Sequence, residues 1–155
     1  MSTEPVGIRI YFHAGWAIQV DTTFEHEMLY EGETLRMFDP GDRHEVYLSS
    51  LTYQRTDGAP LTAEHILDVY PPKEMTGLRY EHRNGDVAGA ALWFLGEDDE
   101  HPKPSWVLMA VMVCPPAGRF ARCTIVCDEE TDRDWALDVW RSIVRRPPPP
   151  REGLG

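Results

Sequence analysis

Six histidines, three cysteines and one arginine set within an apolar segment are the side chains of this 155-residue chain whose types could do chemistry. The histidines stand at 13, 26, 44, 65, 82 and 101, and none forms an HExxH or comparable pair. Glu25-His26-Glu27 and the stretch Asp39-Pro40-Gly41-Asp42-Arg43-His44 come nearest to a ligand cluster. A metal site needs three or four ligands converging on one point, whereas neighbours in an extended segment diverge to opposite faces. Both clusters therefore read as solvated loops, and no metal is expected.

The cysteines can be tested by geometry. Cys123 and Cys127 fall at i and i+4 of one predicted strand, which puts them on the same face but about 13 Å apart. A disulfide needs Cα atoms within about 7 Å, and a shared zinc needs each sulfur about 2.3 Å from the ion. Cys114 lies at the far end of the neighbouring predicted strand and completes no site. Three free thiols fit a reducing compartment. Ser49, Ser50 and Ser142 lack the Gly-x-Ser-x-Gly elbow of a strained nucleophile, and no glycine-rich loop joins a strand to a helix. The expectation is a protein without catalytic machinery and without a cofactor.

Two candidate binding features remain. Arg122 shares a predicted strand face with Phe120 and Val126, roughly opposite Val111, where a guanidinium fork could hold an anionic ligand. The loop residues Glu97, Asp98, Asp99 and Glu100 could dock a basic segment of a partner protein.

The elements that must position these residues follow from periodicity. Ile8, Ile10 and Phe12, then Trp16, Ile18 and Val20, alternate with other residues around Ala14-Gly15, a hairpin pattern. Segments 28–30 and 35–38 are expected to pair around Glu31-Gly32-Glu33, although a helical turn over 24–30 fits the pattern equally. Strand 46–53 follows the turn at Asp39-Pro40-Gly41-Asp42. Residues 61–70 form a short helix, capped by Thr62, stapled by Leu61 on Ile66 and ended by Pro71-Pro72. Four strands come next, over 78–83, 87–95, 106–113 and 119–127. The first two are joined by Asn84-Gly85, the preferred pair of a type I′ turn. Gly89 and Ala90 leave room for a close neighbour, and the two middle strands, apolar on both faces, should be covered on both. A last helix, capped by Thr131, presents Ala136, Val139, Trp140, Ile143 and Val144 on one face. The reading is an α+β fold: a largely antiparallel sheet of six to eight strands, a short mid-chain helix, and a long C-terminal helix packed on it. Residues 1–146 make one domain, and 147–155 a proline-rich tail.

Composition narrows the setting. Twenty-six carboxylates face 15 basic residues, a net charge of −11, and Lys73 and Lys103 are the only lysines. Nucleic acid, whose binding depends on neutralising phosphates, is not an expected partner. The longest apolar run, 106–114, is too short for a spanning helix, and the N-terminus lacks the basic region of a signal peptide. A cytoplasmic protein with no membrane partner is expected.

Gly89-Ala90, the strand 119–127 and, above all, Trp135-Ala-Leu-Asp-Val-Trp-Arg-Ser-Ile143 resemble the PsbP-like family. By element order the likeness runs from about Gly15 to Val144. That family is an α/β/α sandwich shared by a photosystem extrinsic subunit, a Ran-binding import factor and many small bacterial proteins. The resemblance implies protein binding, as adaptor or chaperone, and carries over no functional residue, because no functional motif matches. The expected function is therefore a non-catalytic, protein-binding domain whose partner carries a basic segment. A toxin-neutralising immunity protein is one alternative. The other is a small-molecule binder or enzyme with a pocket between sheet and helix.

Overall fold

A computed structural model describes residues 7–12, 15–41, 43–52, 56–57, 62–96, 104–115 and 118–145. Within them run β1 (Gly7–Phe12), β2 (Trp16–Asp21), β3 (Glu25–Leu29), β4 (Thr34–Phe38), β5 (His44–Thr52), α1 (Ala63–Val69) and β6 (Leu78–Asn84). Then follow β7 (Val87–Gly96), β8 (Ser105–Cys114), β9 (Arg119–Cys127), α2 (Arg133–Arg141) and β10 (Val144–Arg145). Seven strands form one antiparallel sheet in the order β3-β4-β5-β9-β8-β7-β6, with α1 and α2 packed against it. The α+β architecture expected from the sequence is the one observed. The acidic loop 97–100, Leu61 with its staple, and the tail 147–155 lie outside the described residues.

Strand parity sorts the side chains. On the inner face stand Leu35 and Met37, Val46 and Leu48, Cys123 and Ile125, Leu108 and Met112, all at most 2% exposed. Cover comes from α2 and from a second sheet, β1-β2-β10, whose Trp16, Ile18 and Val20 enter the same core. The first hairpin forms as its alternation predicts, Ile8 opposite Val20 and Ile10 opposite Ile18, but it belongs to this second sheet. Trp16 ties the two sheets through its indole N–H, which donates to Ser50 Oγ at 3.0 Å.

The outer face is covered less completely. Ala63, Ile66, Leu67 and Tyr70, in and just after α1, pack on Ala88, Val111, Val113 and Phe120. Farther along β8 and β9, Val107, Met109, Thr124 and Val126 remain half-buried. The expected cover on both faces of the middle strands is thus complete only on the end that α1 reaches, because a seven-residue helix spans only about 10 Å. Helix α1 starts after Thr62 as expected, and His65 Nδ1 accepts the Thr62 N–H at 3.1 Å.

Trp140 is the core anchor of α2. It is fully buried, and its indole N–H donates to Val111 O at 3.3 Å. Gly89 allows this approach, since a Cβ there would lie 2.6 Å from Val111 O and 3.0 Å from Trp140 Cζ2.

Four local expectations are corrected. Asn84 pairs with Val87, so the β6–β7 turn is Gly85-Asp86; only Gly85 takes positive φ, the requirement of a type II′ turn. Thr131 does not cap α2: it sits inside a 3-10 turn, Glu130–Asp132, where Asp132 Oδ2 accepts the Glu129 N–H, and Asp132 precedes the helix. The helix ends at Arg141, because Ser142 Oγ bonds back to Val139 O at 2.6 Å and accepts the Gln19 N–H at 2.9 Å. Val144 therefore pairs with Ala17 in β10, while buried Leu137 joins the apolar face of the helix.

Candidate functional site

At the end of the sheet where β7 finishes and β8 begins, neither α2 nor the second sheet covers the inner face, and a groove of about 720 Å3 opens. Its apolar wall comes from Met75, Leu78, Trp93, Phe94, Leu95 and Trp106. Register explains the convergence: Leu78 lies opposite Trp93, and Leu95 opposite Trp106, so all four share one face of adjacent strands. Trp93 and Trp106 are diagonal neighbours with their rings stacked, centroids 5.6 Å apart and planes 13° from parallel. Trp93 is buried and its indole nitrogen has no hydrogen-bond partner among the described residues. Trp106 is half-buried, and Leu78 and Leu95 are 48% and 44% exposed.

Two short segments rim the groove. Residues 74–77 approach β7 so closely that a side chain at Gly77 would collide with Trp93 O. Arg79 holds that rim by donating to Pro72 O at 2.7 Å and Met75 O at 2.9 Å. Glu74 stands on this rim, and Glu130, from the 3-10 turn, also lines the groove. Neither carboxylate is in an ion pair or a side-chain hydrogen bond with the described residues.

The turn that carries Glu130 is anchored beneath by His44. Its Nδ1 lies 3.1 Å from Asp39 Oδ2 and its Nε2 3.2 Å from Asp132 Oδ2, with Trp135 at 4.6 Å between ring centroids. Only the imidazolium carries a proton on both nitrogens, so two carboxylate acceptors select the charged form. Burial alone would lower the His44 pKa, but the hydrogen bonds and charges of Asp39 and Asp132 outweigh it and raise the value. Burial likewise pushes Asp39 up, and is outweighed by hydrogen bonds from the His44 and Arg43 backbone and the His44 ring. The expectation that segment 39–44 is a solvated loop is corrected for His44, which sequence reading missed because Asp132 is 88 positions away and no local pattern marks it. No group of three or more His, Cys, Asp or Glu converges as a metal site would among the described residues.

The structure separates the residues singled out from sequence. Arg122 pairs with Val111 as expected, but it is exposed on the outer face, where its charge opposes the rise that burial imposes on the Tyr70 hydroxyl pKa. It does not line the groove. Glu97, Asp98, Asp99 and Glu100 lie outside the described residues; the strand ends that carry them, Gly96 and Ser105, pair beside the groove. All three cysteines are free and buried. Burial pushes the Cys123 thiol up to about 12, and burial with nearby carboxylates does the same to Cys127, so neither is a ready nucleophile. Two tryptophans of like parity flanking one loop were the available signal for the groove, but a long connection leaves strand register open.

No family model and no curated protein matches the chain. Among solved structures, it is similar to a crystal structure from Bacteroides thetaiotaomicron VPI-5482 at 1.50 Å resolution, with TM-score 0.57 and 10% identity. The match covers 93% of this chain and 48% of the other, so this chain spans about half the length of that protein. At that identity the likeness concerns the fold alone. No helix among the described residues is long and apolar enough to cross a membrane.

Proposed function

We propose that this protein is a cytoplasmic protein-binding domain, an adaptor, chaperone or neutraliser, and that the partner docks in the tryptophan-lined groove. The observation that carries the reading is the set of Leu78, Leu95 and half-buried Trp106 around a groove at an end of the inner face that neither α2 nor the second sheet covers among the described residues. Clustered apolar side chains rimmed by polar groups are characteristic of interaction sites, and tryptophan and methionine are enriched in interface cores. The element order accords with the PsbP-like resemblance, whose members bind proteins, and three buried free thiols suit a reducing compartment. A neutralised toxin is one partner class that this groove would serve.

The groove's volume favours a second reading, a small-molecule site, since such pockets run from about 300 to 1,000 Å3. Among the described residues neither Arg122 nor a histidine lines it, and its charged lining, Glu74 and Glu130, offers no positive anchor for an anionic ligand.

Site-specific photo-crosslinking in the native host separates the two. A photoreactive residue at Leu95 should yield one discrete protein adduct, lost when Trp106→Ala is added, while the same residue at exposed Val69 on α1 yields none. Adducts at both positions, or none at Leu95, would overturn the protein-binding reading.

A further inference from the structure

We infer that the groove selects an arginine side chain of the partner protein, seated on Trp106 between Glu74 and Glu130. The inference deepens the protein-binding reading and rests on it. Its first support is an arrangement that the protein already uses elsewhere. On the outer face, the Arg36 guanidinium lies 4.2 Å from the centroid of the Phe38 ring, with Nη1 at 2.9 Å from Glu27 and Nε at 3.4 Å from Glu45. There, an aromatic face and two carboxylates hold one guanidinium. The groove likewise supplies an aromatic side chain and two carboxylates, with no cation among its described lining residues.

Among the described residues, the two cations that flank segment 74–77 in sequence are committed. Arg79 is spent on the carbonyls of Pro71, Pro72 and Met75, and Lys73 pairs with Asp68 at 3.0 Å. An apolar occupant would desolvate Glu74 and Glu130 without pairing them, which costs free energy. A lysine would satisfy a carboxylate but would present a compact charge rather than a plane to stack on the indole. A guanidinium does both, since its planar fork stacks on Trp106 while its outward N–H groups reach carboxylates on two sides. The net charge of −11 acts in the same direction, steering basic segments inward and acidic ones away.

The indole N–H resonances of the full-length protein report on this directly. N-acetyl-arginine amide, N-acetyl-lysine amide and N-acetyl-norleucine amide are titrated separately, with the Trp106 resonance assigned by Trp106→Phe. Arginine amide should shift the Trp106 signal saturably and bind at least threefold more tightly than the other two. The Glu74→Gln/Glu130→Gln double variant should weaken it at least tenfold while the Trp140 indole signal, the reporter of an intact core, stays in place. Equal or tighter binding of norleucine or lysine amide, an unchanged affinity in the double variant, or no shift with any probe would each overturn the inference. Self-association in sedimentation that Glu130→Gln abolishes would also overturn it, by making a second copy the source of the arginine. If the arginine amide fails while the Leu95 crosslink and its loss in Trp106→Ala persist, this inference falls and the protein-binding reading stands.

Discussion

Strands β7 and β8 meet two different environments along one face. At one end Trp140 descends from α2 onto Gly89, buries its whole ring and finds a backbone acceptor in Val111. At the other end Trp106 and Trp93 stack, Trp106 stays half-buried, the Trp93 N–H has no partner among the described residues, and Leu78 and Leu95 are exposed. Both ends lack charged residues within β7 and β8. The difference lies in cover, because nine residues of α2 span only about 14 Å and, among the described residues, leave the end of β7 and the start of β8 uncovered. A closed end contributes stability, and an open one is available for recognition.

The largest expected effect tests the closed end. Trp140→Ala should destabilise by about 3–5 kcal/mol in denaturant melts, the range for a buried aromatic truncation. The same substitution at Trp106 should cost no more than half as much, since that ring is already partly hydrated. Equal losses would erase the distinction between the two ends, and a loss below about 1 kcal/mol at Trp140 would remove its role as anchor.

Gly89→Ala comes next. The added methyl meets Val111 O and the Trp140 ring, neither the end of a flexible chain, so overpacking should cost about 1–3 kcal/mol. A neutral result would mean that α2 can shift along the sheet, and that its position does not fix where the groove opens.

The smallest effect concerns the His44 clamp below Glu130. Its folded pKa is raised, so the contribution to stability is fully present below the unfolded value of 6.5 and is lost as pH rises through the folded value. Asp39, whose pKa is lowered, sets the acid limit, since its contribution disappears as pH falls through its folded value. His82 acts in the opposite sense. Burial, with Arg141 adding, holds it below 6.5, so it costs stability as pH falls below that value. Subtracting the profile of His44→Gln from that of the parent isolates the clamp. The difference should be about 0.5–1 kcal/mol near pH 5.5 and should decline on alkalinisation. A difference independent of pH would show that the clamp is not an ion pair.

Much of this architecture is legible in the amino-acid sequence. Period-two alternation marked β1, β2, β6 and β9, continuous apolar runs marked β7 and β8, and Pro71-Pro72 marked the end of α1. Even the Val111–Arg122 register followed from a short turn. Boundaries that depend on one side chain bonding to another element were not legible, as at Ser142, where a hydroxyl shared with Gln19 ends α2 early. The candidate site was hidden for the same reason. Trp93, Trp106, Glu74 and Glu130 come from four segments, and only strand pairing brings them together.

The sequence by itself determined which residues alternate, where proline stops a helix, that the cysteines remain apart, and the sign of the surface charge. These are properties of a few neighbouring residues or of the chain's total. The tertiary structure alone decided that the first hairpin leaves the main sheet to form a second one, and that His44 binds a carboxylate 88 positions away. It also decided that, among the described residues, neither α2 nor the second sheet covers one end of an apolar face. Helix lengths and loop paths set those outcomes, through contacts whose free energy exists only once distant segments have met.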